Sequence, residues 1–473
     1  MRVTLINPPY PKGSPESIFI PLGITYLAAI LEKNGYEVNV LDCQVLKPSR
    51  EELEAKISQW QPQVIGVTAS TLTYWPAVEI VKTVKEASSN CVTVMGGPHV
   101  TVLDEETLQQ NPEVDVIVRG EGEYTLLELL KELSHGGNLS KILGITFRKD
   151  GEIIRNPDRP FIQNLDELPF PAFHHLSLKK YQVFGKNYLP IITSRGCPFQ
   201  CTFCMAHKMC GRRFRARSPK NVVDELEILV NHYGADAVTF YDDTFTFDLK
   251  RVFEICREMK RRGVLPPWDC RTRVDMITKE LLAEMRSANC QLIHFGVESG
   301  SPELLKAMKK GTTVEQNEKA IKMVKEAGML VAVSVIIGYP GETAETLQQT
   351  MDFLRRTDPD YVYVCVPTPY PGTELYEHIK AMGWRLSSDW TRYDEQTLVF
   401  ENPNFPAEKI AEARRKFYNR YFSPMYILRK SLRRDFYSRT MARIALNDFL
   451  WRLKFPTWLF RGFRKSRSQN SSR

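Results

Sequence analysis

The sequence predicts an α/β protein built from two successive strand–helix alternations: an N-terminal doubly wound parallel sheet, then a partial (β/α)6 barrel, then a mostly helical C-terminal tail. Three observations carry this. Residues 1 to about 135 hold short Val/Ile-rich runs separated by stretches of helical length. Residues 188 to about 385 repeat the pattern six times, and a loop with three closely spaced cysteines comes after the first strand of that second series. The expected divisions are 1–140, 141–185, 186–385 and 386–473.

In the first series, strands are expected at 3–6, 37–41, 64–67, 92–95 and 114–118, and helices at 23–34, 51–59, 75–87, 103–110 and 123–133. Short β-branched runs alternating with helices of about 10–15 residues form parallel βαβ units, and such sheets bind ligands beyond the carboxyl ends of their strands. The loops at that edge are rich in small residues. They include Ser70-Thr71, Gly96-Gly97-Pro98 and Gly120-Glu121-Gly122-Glu123, and Pro21-Leu22-Gly23 opens the first helix. Glycine there lets backbone approach a large ligand closely. Residues 145–154, with Asp150-Gly151 at the turn, predict a hairpin. Leu168-Pro169-Phe170-Pro171 lies in a Pro- and Asp-rich stretch, so 141–185 reads as hairpin and linker.

In the second series, strands are expected at 188–193, 237–241, 268–274, 292–297, 330–337 and 361–366. The intervening helices are expected at 219–233, 249–262, 278–288, 314–327, 343–356 and 374–382. Active residues of such repeats gather at strand C-termini. Those positions hold Asp242 and Asp243, Arg271 and Arg273, Glu298, and Gly338 in a Gly-Tyr-Pro-Gly-Glu turn. An internal salt bridge of Arg271 or Arg273 with Asp275 or Asp243 is the structural alternative for these charges.

The cysteine loop reads Cys197-Pro-Phe-Gln-Cys201-Thr-Phe-Cys204. Three thiolates can hold three irons of a four-iron, four-sulfur cluster and leave the fourth iron open to another ligand. A zinc knuckle completed by Cys210 or His207 is the competing reading. Structural zinc takes paired Cys or His units, and no second pair occurs at the usual distance. The remaining cysteines, Cys43, Cys91, Cys256, Cys270, Cys290 and Cys365, lie in apolar contexts and read as buried small residues.

The Cys-x3-Cys-x-aromatic-Cys pattern resembles the radical S-adenosylmethionine (SAM) superfamily. The loops from Pro21-Leu22-Gly23 to Gly120-Glu121-Gly122-Glu123 look like the Rossmann-like cobalamin-binding domain that precedes many such enzymes. Together, residues 1 to about 385 are similar to cobalamin-dependent radical SAM methyltransferases of class B. The resemblance implies a [4Fe-4S] cluster on Cys197, Cys201 and Cys204 as the metal ligands. It implies SAM bound by Phe203 near the adenine, Glu298 at the ribose, Gly338 in the strand-five motif, and Asp242, Asp243, Arg271 and Arg273 at the amine and carboxylate. Asp242 and Asp243 stand where many family members carry Gly-Gly-Glu, which leaves open which of them meets the amine. It further implies cobalamin held by Pro21, Leu22, Gly23, Ser70, Thr71, Gly96, Gly97, Pro98, Gly120, Glu121, Gly122 and Glu123. The first ligand-side loop reads Asp42-Cys43-Gln44 without Asp-x-His-x-x-Gly, so cobalamin is expected without a protein histidine on cobalt, and His99 reads as a packing or hydrogen-bonding residue. The implied reaction is methylation of an unactivated carbon, with a reductant such as flavodoxin or ferredoxin. Ring closure of the anaerobic porphyrin type, or methylation of a peptide or antibiotic precursor, are the alternatives.

The formal charge is +8, and residues 429–473 carry 13 Lys/Arg against Asp435 and Asp448, a local +11 that leaves −3 elsewhere. Phe436, Tyr437, Phe449, Trp451, Phe455, Trp458, Phe460 and Phe463 interleave those bases. Such composition suits a segment on an anionic membrane surface, which would favour a lipid or hopanoid-like substrate. Equally, it suits a helix docked on the body with a frayed end from Arg464. A nucleic-acid partner is disfavoured, since no binding motif accompanies the charge. Ten cysteines without an evident signal peptide lead to the expectation of a reducing cytoplasm, with peripheral contact on the inner face of the membrane.

Overall fold

The computed structural model describes residues 1–11, 19–421 and 423–454. Its N-terminal sheet contains β1 (Arg2–Asn7), β2 (Glu37–Asp42), β3 (Val64–Thr68), β4 (Val92–Gly96), β5 (Val116–Val118), β6 (Ile145–Lys149) and β7 (Glu152–Arg155), in the order β2-β1-β3-β4-β5-β6-β7. The first five pair in parallel, as the strand–helix alternation requires. The hairpin assigned to the 141–185 connecting stretch instead pairs antiparallel with β5, so the sheet runs on to Arg155. The stretch after Arg155 is tied to both modules rather than being a loose linker. Arg119 bonds Asp158 (2.8 Å), the Ile162 N–H donates to Glu121 (2.7 Å), and the Ser218 N–H donates to Asp166 (2.9 Å). The helix predicted at 103–110 is present as Asp104–Gln110, and a short helix that was not predicted, Pro98–Val102, precedes it.

The second module begins with β8 (Tyr188–Ile191), after which β9 (Ser194–Arg195) and β10 (Arg215–Ala216) form a separate two-stranded ribbon. The sheet continues with β11 (Ala237–Phe240), β12 (Trp268–Thr272), β13 (Cys290–Glu298), β14 (Leu330–Ile336) and β15 (Tyr361–Cys365). Its six strands pair in parallel in chain order, giving an open half-barrel. Each of the six helices behind these strands starts on a side-chain cap: Ser218, Asp248, Thr278, Thr313, Thr343 and Thr373 each accept a hydrogen bond from a first-turn N–H. A cap of this kind stabilises a helix by about 1 kcal/mol and fixes where the strand-to-helix loop ends. Phe240, Phe245, Trp268 and Phe295 are fully buried between strands and helices. Trp268 satisfies its indole N–H on the Ala288 carbonyl (2.7 Å).

After the barrel, the chain runs as an irregular segment with Trp390 and Tyr393, then forms helices Ala407–Tyr421, Pro424–Ser431 and Phe436–Lys454. The last of these docks on the body. Tyr437 enters the floor of the barrel and donates to Asp269 (2.7 Å), which also accepts from Tyr188 and Thr239. Met441 packs with Leu292, Leu330 and Ala332. The basic aromatic stretch 455–473, on which the membrane expectation partly rested, lies outside the described residues. No helix among the described residues is long and apolar enough to cross a membrane.

Candidate functional site

The short strands β9 and β10 pair antiparallel and close the base of the cysteine loop. Gly196 begins the loop at φ +89°, where a Cβ would overlap the Arg213 carbonyl. The middle of the loop is clamped to the barrel: the Thr202 N–H donates to Met308 O (3.1 Å), its hydroxyl meets Tyr339 OH (2.7 Å), and the Leu375 N–H donates to Thr202 O (2.9 Å). Arg273 covers the Phe199 ring at 3.6 Å. Cys197, Cys201 and Cys204 are half-buried, and burial pushes the Cys204 thiol up to about 12. A metal must displace that proton on binding. A single zinc ion with bonds of about 2.3 Å would draw its sulfurs to roughly 3.8 Å of one another. Among the described residues, the group of three metal-ligating atoms drawn within 4.8 Å is elsewhere, at Glu32, His174 and His175. Three thiols within one loop suit a polynuclear cluster with one iron left open.

The two adjacent aspartates at the end of β11 have different situations. Asp242 is buried and accepts from Thr193 N–H (2.6 Å), the Thr193 hydroxyl and Ser194 N–H (3.2 Å), so its charge holds the start of the cysteine loop. Asp243 opens onto a cavity facing that loop while protein rings it on its other sides. Partial desolvation by the protein around it, with the Asp242 charge behind it, raises the carboxyl of this cavity-exposed side chain to about 6. The arginines of β12 and its adjoining turn separate in the same way. Arg273 is consumed by Asp275 (3.0 and 2.9 Å) and by Lys310 O (2.8 Å). Arg271 lies over Tyr241 at 4.0 Å, and its Nη1 is buried without a hydrogen-bond partner.

Glu298 ends β13 at a bulge with φ +66°, a device that re-aims a side chain beside a site. Its Oε1 accepts from buried Lys310 (2.8 Å), a partner that strand-end reading did not single out. A Cβ at Gly296 would press on the Glu298 Oε1 and Lys310 Nζ ends of that ion pair and displace it. Gly338, at φ +91°, leaves no room for a Cβ against Ile410, and its N–H donates to Glu342 (2.9 Å). Burial raises the Glu342 carboxyl to about 7. Phe203 is half-buried against the cluster containing Ile336, Tyr339 and Leu375.

The cavity has a volume of ≈ 320 Å³ and opens at the carboxyl edge of β3, β4 and β5. Gly66, Val67, Val94, Val118, Ile24 and Leu27 make it largely apolar, and Ser194, Arg195, Met209, Cys210, Tyr241 and Asp243 close it from the barrel side. Of the residues expected to hold cobalamin, Gly23, Gly96, Gly97, Pro98, Gly120, Glu121, Gly122 and Glu123 line it. Pro21, Leu22, Ser70 and Thr71 do not. Ser70 is tied to Thr73 (3.0 Å), and Thr71 bonds the ring of His99 (3.2 Å). His99 itself is buried behind the wall, between Tyr74 and Trp390, and burial lowers it to about 3. No histidine is among the described residues of the cavity wall. Glu121 and Glu123 reach the cavity already paired: Arg195 bonds both (3.0 and 2.5 Å) and Arg215 bonds Glu121 (2.9 Å). These buried pairs latch the base of the cysteine loop to the N-terminal sheet, and removing one partner of such a pair costs about 3–5 kcal/mol. Gly66 was legible in principle, since glycine inside a strand marks a close approach. Lys310 and Met209 carried no comparable signal, and Cys210 stood out only as a candidate zinc ligand.

The residues present fit three groups. The thiol triad is a donor set for iron. The unpaired Arg271 N–H and the uncommitted Asp243 suit a zwitterion such as SAM. Gly23 lines the cavity with nothing within 4 Å of where its Cβ would stand, so the apolar slot has room for a flat heterocycle such as the nucleotide base of cobalamin.

Comparisons with known proteins agree with that chemistry. The description "Radical SAM superfamily" matches residues 191–354, and "B12 binding domain" matches residues 12–130. An uncharacterized methyltransferase of Pyrococcus horikoshii is 35% identical over 435 residues, covering 91% of this chain and 95% of the relative. The anaerobic magnesium-protoporphyrin IX monomethyl ester cyclase of Rubrivivax gelatinosus is 31% identical, covering 95% of this chain and 82% of the relative. The radical SAM methyltransferase TsrM of Kitasatospora setae, solved with cobalamin and a [4Fe-4S] cluster bound, superposes with a TM-score of 0.76 at 18% identity, covering 95% of this chain and 99% of that one.

Proposed function

The chain belongs to the cobalamin-dependent radical SAM methyltransferases, and from that premise we propose that it methylates an unactivated carbon of a hydrophobic small molecule, polycyclic or lipid-like. The enzyme uses a four-iron cluster, SAM and cobalamin. The observation that carries the reaction is the cavity at the edge of the N-terminal sheet, which would hold cobalamin and which the mouth of the barrel closes; the lipid-like substrate reading is supported by the exposed apolar and basic stripe at Met425, Leu428 and Leu432. When bound, these groups supply one-electron cleavage of a carbon–sulfur bond and a carrier for the methyl group.

The chain's own residues bind and orient. Cys197, Cys201 and Cys204 hold the irons. Asp243 receives the SAM amine, since Asp242 is spent on backbone N–H groups. Arg271 offers its unpaired N–H to the SAM carboxylate, and Glu298, fixed through Oε1 by Lys310, keeps Oε2 for the ribose hydroxyls. The Asp243→Asn variant is expected to bind SAM roughly 10- to 100-fold more weakly, the loss of one charge-assisted hydrogen bond of about 1.5–3 kcal/mol. Because the carboxylate is charged only above about 6, wild-type SAM affinity should fall as pH drops through that value, and the variant should lose this dependence. Calorimetric SAM titration of the anaerobic protein checks both, and an unchanged affinity in the variant removes Asp243 from the site. Anaerobic turnover with hydrophobic candidates, read by mass spectrometry for deoxyadenosine, S-adenosylhomocysteine and product, tests the reaction. The similarity to a porphyrin ester cyclase supports a second reading, ring closure, which would leave the product without an added methyl. A reductant of the flavodoxin or ferredoxin type belongs to either reading.

Delivery from a membrane is also part of this proposal. Met425, Leu428 and Leu432, at 73%, 55% and 76% exposure, form one stripe beside Arg429, Arg433 and Arg434. Each base near an anionic surface contributes about 1 kcal/mol. The M425E/L428E/L432E variant should lose flotation with phosphatidylserine vesicles by at least about tenfold, or about 1.4 kcal/mol, while keeping SAM cleavage. Equal flotation of both proteins ends the membrane reading. Truncation at residue 436 would be a poorer test, because it also removes Tyr437 from the barrel floor.

A further inference from the structure

Away from the cavity, His174 and His175 both direct Nε2 at a single oxygen, Oε1 of Glu32, at 3.1 and 2.8 Å. The three ligand atoms lie within 4.8 Å of one another. The two imidazoles are tilted together with centroids 4.5 Å apart. This convergence is unusual for neighbours in sequence. Phe173–His175 is a 3-10 turn, whose successive side chains point about 120° apart, so both rings must take rotamers that bring them back to one point. Zinc bonds of about 2.0–2.1 Å to nitrogen and oxygen require ligand separations near 3.3 Å in a tetrahedral site. The two N···O separations need to open by only a few tenths of an ångström, and the two imidazole nitrogens lie within 4.8 Å of each other.

We propose that Glu32, His174 and His175 form a binding site for a divalent transition-metal ion of the zinc class, with the fourth position open to water. The ligands come from two parts of the fold. Glu32 is on the last turn of helix Leu22–Lys33, whose first turn carries Gly23 and Ile24 into the cavity wall. The histidines come after Ala172, whose N–H donates to Thr25 O (3.1 Å) on that same helix, and Phe173, which is buried in the barrel core. A metal here staples the helix that borders the cofactor cavity to the barrel. The His174 side chain is 55% exposed, so an ion reaches the site from solvent without opening the fold.

The test uses full-length, cluster-loaded protein with ZnCl2 as the probe, so that the cluster cysteines are already occupied. One zinc per chain is expected by calorimetry, with a metal-dependent rise in Tm that is absent in the H174A/H175A variant and in Glu32→Gln. Affinity in either variant should fall at least about 100-fold. Zinc-edge X-ray absorption should show a first shell of nitrogen and oxygen only. Failure of the wild-type protein to bind zinc overturns the proposal, as does a sulfur shell, which would put the metal at cysteine. An equal Tm rise in wild type and Glu32→Gln also overturns it.

Discussion

Cys201→Ala is expected to abolish SAM cleavage and to drop iron well below four per chain, whereas Cys210→Ala should keep both. The reason is positional. Cys201 is held over the barrel by the neighbouring Thr202 bonds to Met308 and Tyr339, among the charges of Lys310, Glu298 and Arg273. Losing one thiolate exposes a second iron and destabilises the cluster. Cys210 instead ends the short helix Ala206–Cys210 and lines the cofactor cavity, with its carbonyl accepting from Arg215 (2.7 Å). Iron analysis and EPR of the reduced anaerobic proteins decide the matter. A four-iron signal surviving in Cys201→Ala, or loss of iron in Cys210→Ala, would show that the ligand set is wrong.

Gly23→Phe is expected to prevent cobalamin loading while leaving the fold and the cluster intact. Gly23 sits in the first turn of helix Leu22–Lys33, and a Cβ there meets nothing within 4 Å. The Cβ of a substituted residue is therefore free, and a ring carried on it is expected to extend into the cavity that Gly23 lines. Cobalamin retained after gel filtration should fall at least about tenfold, the equivalent of about 1.4 kcal/mol of blocked contact. Uncoupled SAM cleavage should persist. Gly97→Ala is a contrasting substitution: its φ of +102° and the close Ala69 backbone make it a folding defect, visible in circular dichroism. Full cobalamin occupancy in Gly23→Phe would place the cofactor elsewhere.

The strand–helix alternation and the cysteine spacing were legible because they are local. Side-chain period and turn chemistry report which face of an element is buried, and Cys197, Cys201 and Cys204 lie within one loop. The hairpin 145–154 was equally visible, yet its pairing with β5 was not, because a turn sequence specifies the hairpin and not the edge that accepts it. The tail shows the same limit: its amphipathic pattern identified helix without saying that Tyr437 would fill the barrel floor.

By itself, then, the sequence determined two α/β modules, a loop of three thiols suited to iron and a small-residue edge suited to a large ligand. Tertiary structure alone decided how chemically identical neighbours divide their work. Asp242 and Asp243 differ only in that the first meets the Thr193 and Ser194 N–H groups and the second meets the cavity. Arg273 finds Asp275 while Arg271 keeps a buried N–H unpaired. Glu121 and Glu123 look like ligand-loop residues in one dimension and become a latch to Arg195 and Arg215 in three. A charge acts through whatever lies within a few ångströms of it, and apart from Asp275, two residues from Arg273, those partners come from 48 to 94 positions away along the chain.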